Sequence, residues 1–194
     1  MNAVLKFDTP NREKYYRYFK RHSAKLSPNT EWVCRILASW RVGLGALPDA
    51  LGLGSSDFLA LQKNFFHTLD IPAQALSGRQ ADFSRMLERD DLIRYLHDRA
   101  AYPERAETGW ITGLLVAGCL GEDHLWQDLG LWSRQDLSGL IAYNFPQIKA
   151  ANDKDMKWKK FLYKQLCEAE GIYVCRAPTC AVCVDYPRCF GPEE

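Results

Sequence analysis

The chain has 194 residues, 47% hydrophobic and 12% aromatic, enough apolar material to bury roughly 70% of its unfolded surface in one domain. Its 25 Lys and Arg balance 24 Asp and Glu, so the net charge of +1 excludes an overall pull toward nucleic acid or anionic lipid and leaves only local patches. The longest apolar run, Trp110 to Leu120, is interrupted only by Thr112 and falls far short of the roughly 20 residues that a bilayer span requires, so no membrane segment is expected.

In chain order the pattern is helical throughout. The first residues, MNAVLKFDTP, carry no basic region followed by an apolar stretch, so no export signal is read and a cytoplasmic location is expected. Trp32, Val33, Ile36, Leu37 and Trp40 recur at helical spacing, and Gly43 and Gly45 end that element. Ser55 or Ser56 is the predicted cap of the next helix, whose Phe58, Leu61, Phe65 and Leu69 form a stripe ending before Pro72. Phe83, Met86, Leu87, Ile93 and Leu96 mark a third. Trp110 to Leu120 is apolar nearly all round, which predicts a buried central helix. Ser133 with Asp136 reads as a variant capping box leading into Leu137, Leu140 and Ile141, with Pro146 after that helix. Asp155 to Glu170 carries Trp158, Phe161, Leu162, Gln165, Leu166 and Ala169 on one side, and Gly171 is the predicted C-cap. Residues 1–12 and the Ala73 to Arg79 connection are expected to be the most flexible. The expected fold is therefore all-α. A single helical domain spans 1–171, with residues 1–25 peripheral, and an irregular cysteine-rich segment at 172–194 packs on it.

That last segment holds Cys175, Cys180, Cys183 and Cys189 in the spacing C-x4-C-x2-C-x5-C. At 100° per residue a helix cannot converge the four sulfurs, since Cys175 would lie about 140° from Cys180 and Cys189 roughly 120° from Cys183. Pro178 and Pro187 remove backbone donors, which argues against a central strand. A loop wrapped around a thiophilic object remains. Seven cysteines, an odd number, suit free thiols or ligands better than a full set of disulfides. Four thiolates suit tetrahedral zinc, although zinc ribbons separate two close pairs by a long loop and all three gaps here are short. Cys175, Cys180 and Cys183 reproduce the C-x4-C-x2-C part of a plant-type ferredoxin signature, but the fourth cysteine is local. Spacing favours an iron–sulfur cluster and leaves zinc and unligated thiols open.

The runs GEDHLWQDLGLWSRQDLSGL (121–140) and NDKDMKWKKFLYKQLCEAEGIYVCRAPTCAVCVDYPRCFGPEE (152–194) resemble the NifQ family, with all four motif cysteines matching one by one. The resemblance is strongest over 108–194 and weaker over 30–100, and Thr179 stands where Ser is expected. It implies a role in nitrogen fixation. The implied protein is not an enzyme: it takes up molybdenum from molybdate on a cluster of the 3Fe–4S or 4Fe–4S type. It then donates the metal to the iron protein and scaffold complex that assemble the iron–molybdenum cofactor of nitrogenase. A small helical electron-transfer iron–sulfur protein and a zinc-stapled interaction domain are the alternatives. A cluster open at one corner offers sulfides to molybdenum, and a donor needs one exchangeable ligand there.

Other residues have weaker claims. Arg176 and Arg188 flank the ligands and can offset a cluster's negative charge, or can be solvated loop arginines. Cys167, eight residues before Cys175 on a stripe with Met156 and Tyr163, is a possible fifth thiolate or a packed cysteine. Cys34 and Cys119 lie on apolar faces and read as core. His124 and Asp128, four apart, would share a helical face and could bind metal or molybdate together, against the commoner structural role of a lone histidine. Lys154, Lys157, Lys159, Lys160 and Lys164 crowd one helix, and Arg12, Lys14, Arg17, Lys20 and Arg21 form another group. Each reads as a solvated face or as an attractor of molybdate or an acidic partner. No phosphate loop, H-E-x-x-H motif or G-x-S-x-G elbow appears.

Overall fold

A computed structural model of the chain describes residues 11–24, 27–66, 68–75, 78, 80–169, 171 and 186–191. The α-helices among them are α1 (Arg12–Arg21), α2 (Pro28–Trp40), α3 (Ser55–Phe65), α4 (Arg89–His97) and α5 (Ala106–Gly118), followed by α6 (Leu125–Asp128), α7 (Arg134–Asn144), α8 (Pro146–Ala151), α9 (Trp158–Ala169) and α10 (Tyr186–Phe190). Short 3-10 turns lie at Asp49–Gly52 and Phe83–Arg85, and an isolated bridge joins Ser23 to Phe66. The fold is all-α.

The centre is α5. Ile111, Leu114, Leu115, Val116 and Ala117 are at most 1% exposed, so this helix is buried nearly all round, as its composition predicts. Val33, Ile36 and Leu37 of α2, Phe58, Leu61 and Phe65 of α3, Leu137, Leu140 and Ile141 of α7, and Phe161 and Leu162 of α9 join it in one continuous core.

Several boundaries differ from the sequence pattern for local reasons. A helix absent from the sequence reading, α1, is capped by Asn11, whose side chain accepts the Lys14 N–H at 3.1 Å. It buries Tyr15 and Phe19 beside α2. Residues 12–21 therefore pack on the body; Tyr15 and Phe19, the buried two of four aromatics among six charged residues, are the signal. Gly54, not a serine, caps α3, and that helix ends at Phe65, short of Leu69. Leu87, assigned to an apolar stripe, is 89% exposed because the chain there is a turn between the 3-10 segment and α4. Part of the Ala73 to Arg79 connection is tied down: Ala73 O accepts the Ala50 N–H at 2.6 Å and Asp49 Oδ1 accepts the Ala75 N–H at 2.7 Å. Residues 76, 77 and 79, like 1–10, lie outside the described residues.

At α7, Ser133 Oγ accepts the Asp136 N–H at 3.1 Å as predicted, but the Asp136 carboxylate accepts from Trp132 N at 3.1 Å and pairs with Arg35 instead of closing the box. The last long helix starts at Trp158, three residues later than its pattern. Asn152 explains this: its Oδ1 accepts the Met156 N–H at 2.8 Å and its Nδ2 donates to Met156 O at 2.9 Å. That bracket holds a turn in which Asp155 adopts φ 53°, and no helix can pass through it. Gly171 follows α9 at φ 70°, the left-handed geometry that a glycine cap supplies. The stretch expected to be irregular contains one helical turn, α10, with Pro187 in its first turn, where a missing N–H costs nothing.

Candidate metal centre and its pocket

Of the four motif cysteines, Cys175, Cys180 and Cys183 lie outside the described residues, and so does Arg176. Cys189 is described. It is a free thiol on α10, half-buried against the edge of the core. Its carbonyl accepts the Lys157 N–H at 2.8 Å, which joins α10 to the residue just before α9. Tyr186 and Phe190 stack with ring centroids 4.6 Å apart along the same turn. Thus the last cysteine of the motif lies beside the start of α9.

A pocket of about 410 Å³ opens at that junction. Lys157, Lys159, Lys160 and Arg188 line it together with His124, Glu122 and Asp123. Lys157, Lys159 and Lys160, which the sequence reads as a solvated face or as an attractor of anions, therefore line this junction with Arg188 of α10. The sequence signal was their density, but only the packing of α10 against Lys157 places Arg188 in the same opening.

Beneath this pocket lies a buried ion pair that sequence reasoning missed. Asp128, 2% exposed, is bound by Lys159 Nζ, which also donates to Gly121 O at 2.8 Å. Burial pushes the Asp128 carboxyl above its ordinary value, and the hydrogen bond and charge of Lys159 only partly offset that push. Gly121 is needed here because a Cβ at that position would collide with the Asp128 carboxylate.

The shared helical face expected of His124 and Asp128 does not form. His124 precedes α6 as its N-cap, with φ −66° and ψ 145°; its ring accepts the Gln127 N–H while Gln127 Oε1 accepts the His124 N–H at 3.2 Å. Asp128 turns away to Lys159. The two side chains thus face different openings, His124 the cation-lined pocket and Asp128 a larger one of about 510 Å³ bordered also by Asp82. Among the described residues no three His, Cys, Asp or Glu side chains are grouped to hold a metal ion.

Cys34 and Cys119 are buried, and burial pushes each thiol up to about 12, so both stay protonated and serve as core residues. Cys167 is a free, half-buried thiol in the last turn of α9.

A small helical protein that sets one thiol of a four-cysteine C-terminal motif beside a cation-lined pocket is the class these features define. The chain belongs to the NifQ family, which is implicated in nitrogen fixation. The family model described as NifQ matches residues 32–191. Among curated relatives, Protein NifQ of Azotobacter vinelandii is 40% identical over 178 residues, covering 85% of this chain and 89% of that protein. Protein NifQ of Rhodobacter capsulatus is 36% identical over 78% of this chain and 81% of its own length. Protein NifQ of Klebsiella pneumoniae is 30% identical over 84% of this chain and 99% of its own length. No solved structure matches the chain.

Proposed function

We propose that this chain is a molybdenum carrier, not an enzyme: it takes up molybdenum at an iron–sulfur cluster ligated by Cys175, Cys180, Cys183 and Cys189 and passes it to the proteins that assemble the nitrogenase cofactor. The observation that carries this reading is that the NifQ match over 32–191 contains the entire four-cysteine motif. The donor set fits the group. Four thiols within fifteen residues are soft ligands suited to iron and sulfide, and Cys189 is a free thiol next in sequence to Arg188, which lines a pocket whose lysines favour an anionic cluster. When bound, the cluster supplies sulfide ligands that molybdenum lacks as an oxyanion.

The chain's own residues have separable tasks in this reading. The Lys157 to Cys189 backbone bond fixes one thiolate against the body, Arg188 and Lys157 balance negative charge near it, and His124 and Cys167 stand as candidate extra ligands. No helix among the described residues is long and apolar enough to cross a membrane, in keeping with a carrier that works in the cytoplasm.

Metal analysis tests the proposal. Protein purified without oxygen from molybdate-fed cells is expected to contain iron, sulfide and molybdenum. Zinc alone would overturn the cluster, and iron that never acquires molybdenum would favour electron transfer. Serine substitution of the motif should divide the set: most replacements abolish the cluster, while one leaves iron bound and impairs molybdenum retention. Proportional loss of both metals in all four variants, with His124→Ala and Cys167→Ser changing neither, would rule out an exchangeable ligand.

A further inference from the structure

The function above concerns thiolates, yet molybdenum arrives as a hydrated, doubly charged oxyanion that thiolates do not attract. The pocket at the start of α9 has the complementary chemistry. Lys159 is committed to Asp128, and Lys157, Lys160 and Arg188 line the same opening. Neither the Lys157 nor the Lys160 ammonium makes an ion pair among the described residues. On the opposite side, Glu122 and Asp123 bring two carboxylates to the same opening. Glu122 is exposed at the rim. The positive groups are therefore gathered on the α9 and α10 side, within the same opening and one residue from Cys189.

A volume of about 410 Å³ accommodates a tetrahedral oxyanion with several waters. The carboxylates of Glu122 and Asp123 would repel a long acidic peptide or a nucleic-acid backbone lying across the rim. We propose that this pocket is a receiving site for a tetrahedral oxyanion, held by Lys157, Lys160 and Arg188 beside Cys189 before any oxygen ligand is exchanged. The inference rests on the molybdenum-carrier reading for the identity of the anion. The site itself rests on the pocket, its cations and their junction with α10.

Equilibrium dialysis of molybdate against the full chain, purified without oxygen from molybdenum-starved cells and kept without reductant, tests the site, with X-ray absorption reporting the molybdenum ligands. Saturable binding is expected, with four oxygen neighbours and no sulfur. Lys157→Gln with Lys160→Gln, or Arg188→Gln alone, should weaken it by at least about tenfold, because each removes a charge-assisted contact. Lys157 and Lys160 hold no partner whose loss would unfold the body, so the variants should keep wild-type helical circular dichroism. Lys154→Gln with Lys164→Gln, outside the pocket, should bind as wild type. Equal weakening in that control pair, unaltered binding in the pocket variants, or molybdenum bound only through sulfur would overturn the site. These outcomes are distinct from failure of the carrier reading, which is read in the iron-loaded protein as iron without retained molybdenum, whatever the oxyanion affinity.

Discussion

Two carboxylates in this chain show how neighbours decide what a residue does. Burial pulls the Glu31 carboxyl upward, but hydrogen bonds from Lys20 at 2.7 Å and Tyr16 at 2.6 Å, with the charges of Lys20 and Arg35, take it below its ordinary value. Asp128 goes the other way because it is nearly inaccessible and has a single ammonium partner. A raised folded-state value means that the folded protein binds the proton more tightly than the unfolded chain. Asp128 thus contributes a stability that falls as pH rises from its ordinary value of 3.8 through its folded value. Lys159→Met would leave the carboxyl buried without its ammonium, at a cost of about 3–5 kcal/mol at pH 7. Urea unfolding should show that loss shrinking as acid protonates Asp128. A loss below about 1 kcal/mol at pH 7 would mean that the pair is solvated and carries little.

At the scale of elements, the informative seam lies between α9 and α10. The Lys157 N–H to Cys189 carbonyl bond at 2.8 Å joins the cysteine segment to a body whose helices have their own core. The segment 172–194 carries three prolines and four cysteines, so in the proposed function metal ligation supplies much of its order, whereas α2 and α5 are held by burial. Removing metal with a chelator should therefore raise amide exchange at Lys157 and across Tyr186–Phe190 while α2 and α5 keep their protection. Loss of protection in α5 would show that the body itself depends on the metal.

Over the whole molecule, the six tryptophans provide a test of that single core. Trp32 and Trp40 lie on α2, Trp110 on α5, Trp126 on α6, Trp132 just before α7 and Trp158 on α9, so their fluorescence samples most of the fold. Because residues from α1 to α9 pack into one continuous cluster around α5, metal-free protein should lose tryptophan environment and helical circular dichroism at the same urea concentration. Separate midpoints would mean that α1 and α2, or α9, unfold apart from the rest.

The sequence by itself determined the all-α class, the buried central helix and the core assignment of Cys34 and Cys119, since each follows from apolar spacing that only a buried helix face satisfies. It also supplied the four-cysteine motif and the family resemblance, because covalent order preserves spacing whatever the fold. It read α1 as a charged peripheral stretch, since its buried pair, Tyr15 and Phe19, gives too short a stripe to register among six charged residues. Tertiary structure alone decided that Asp128 turns to Lys159 and not to His124, because the choice depends on where Gly121 leaves room and on how α9 lies across α6. It alone brought Lys157, just before α9, to Cys189 of α10, a proximity that arises when two segments separated in sequence pack together and that no local periodicity encodes.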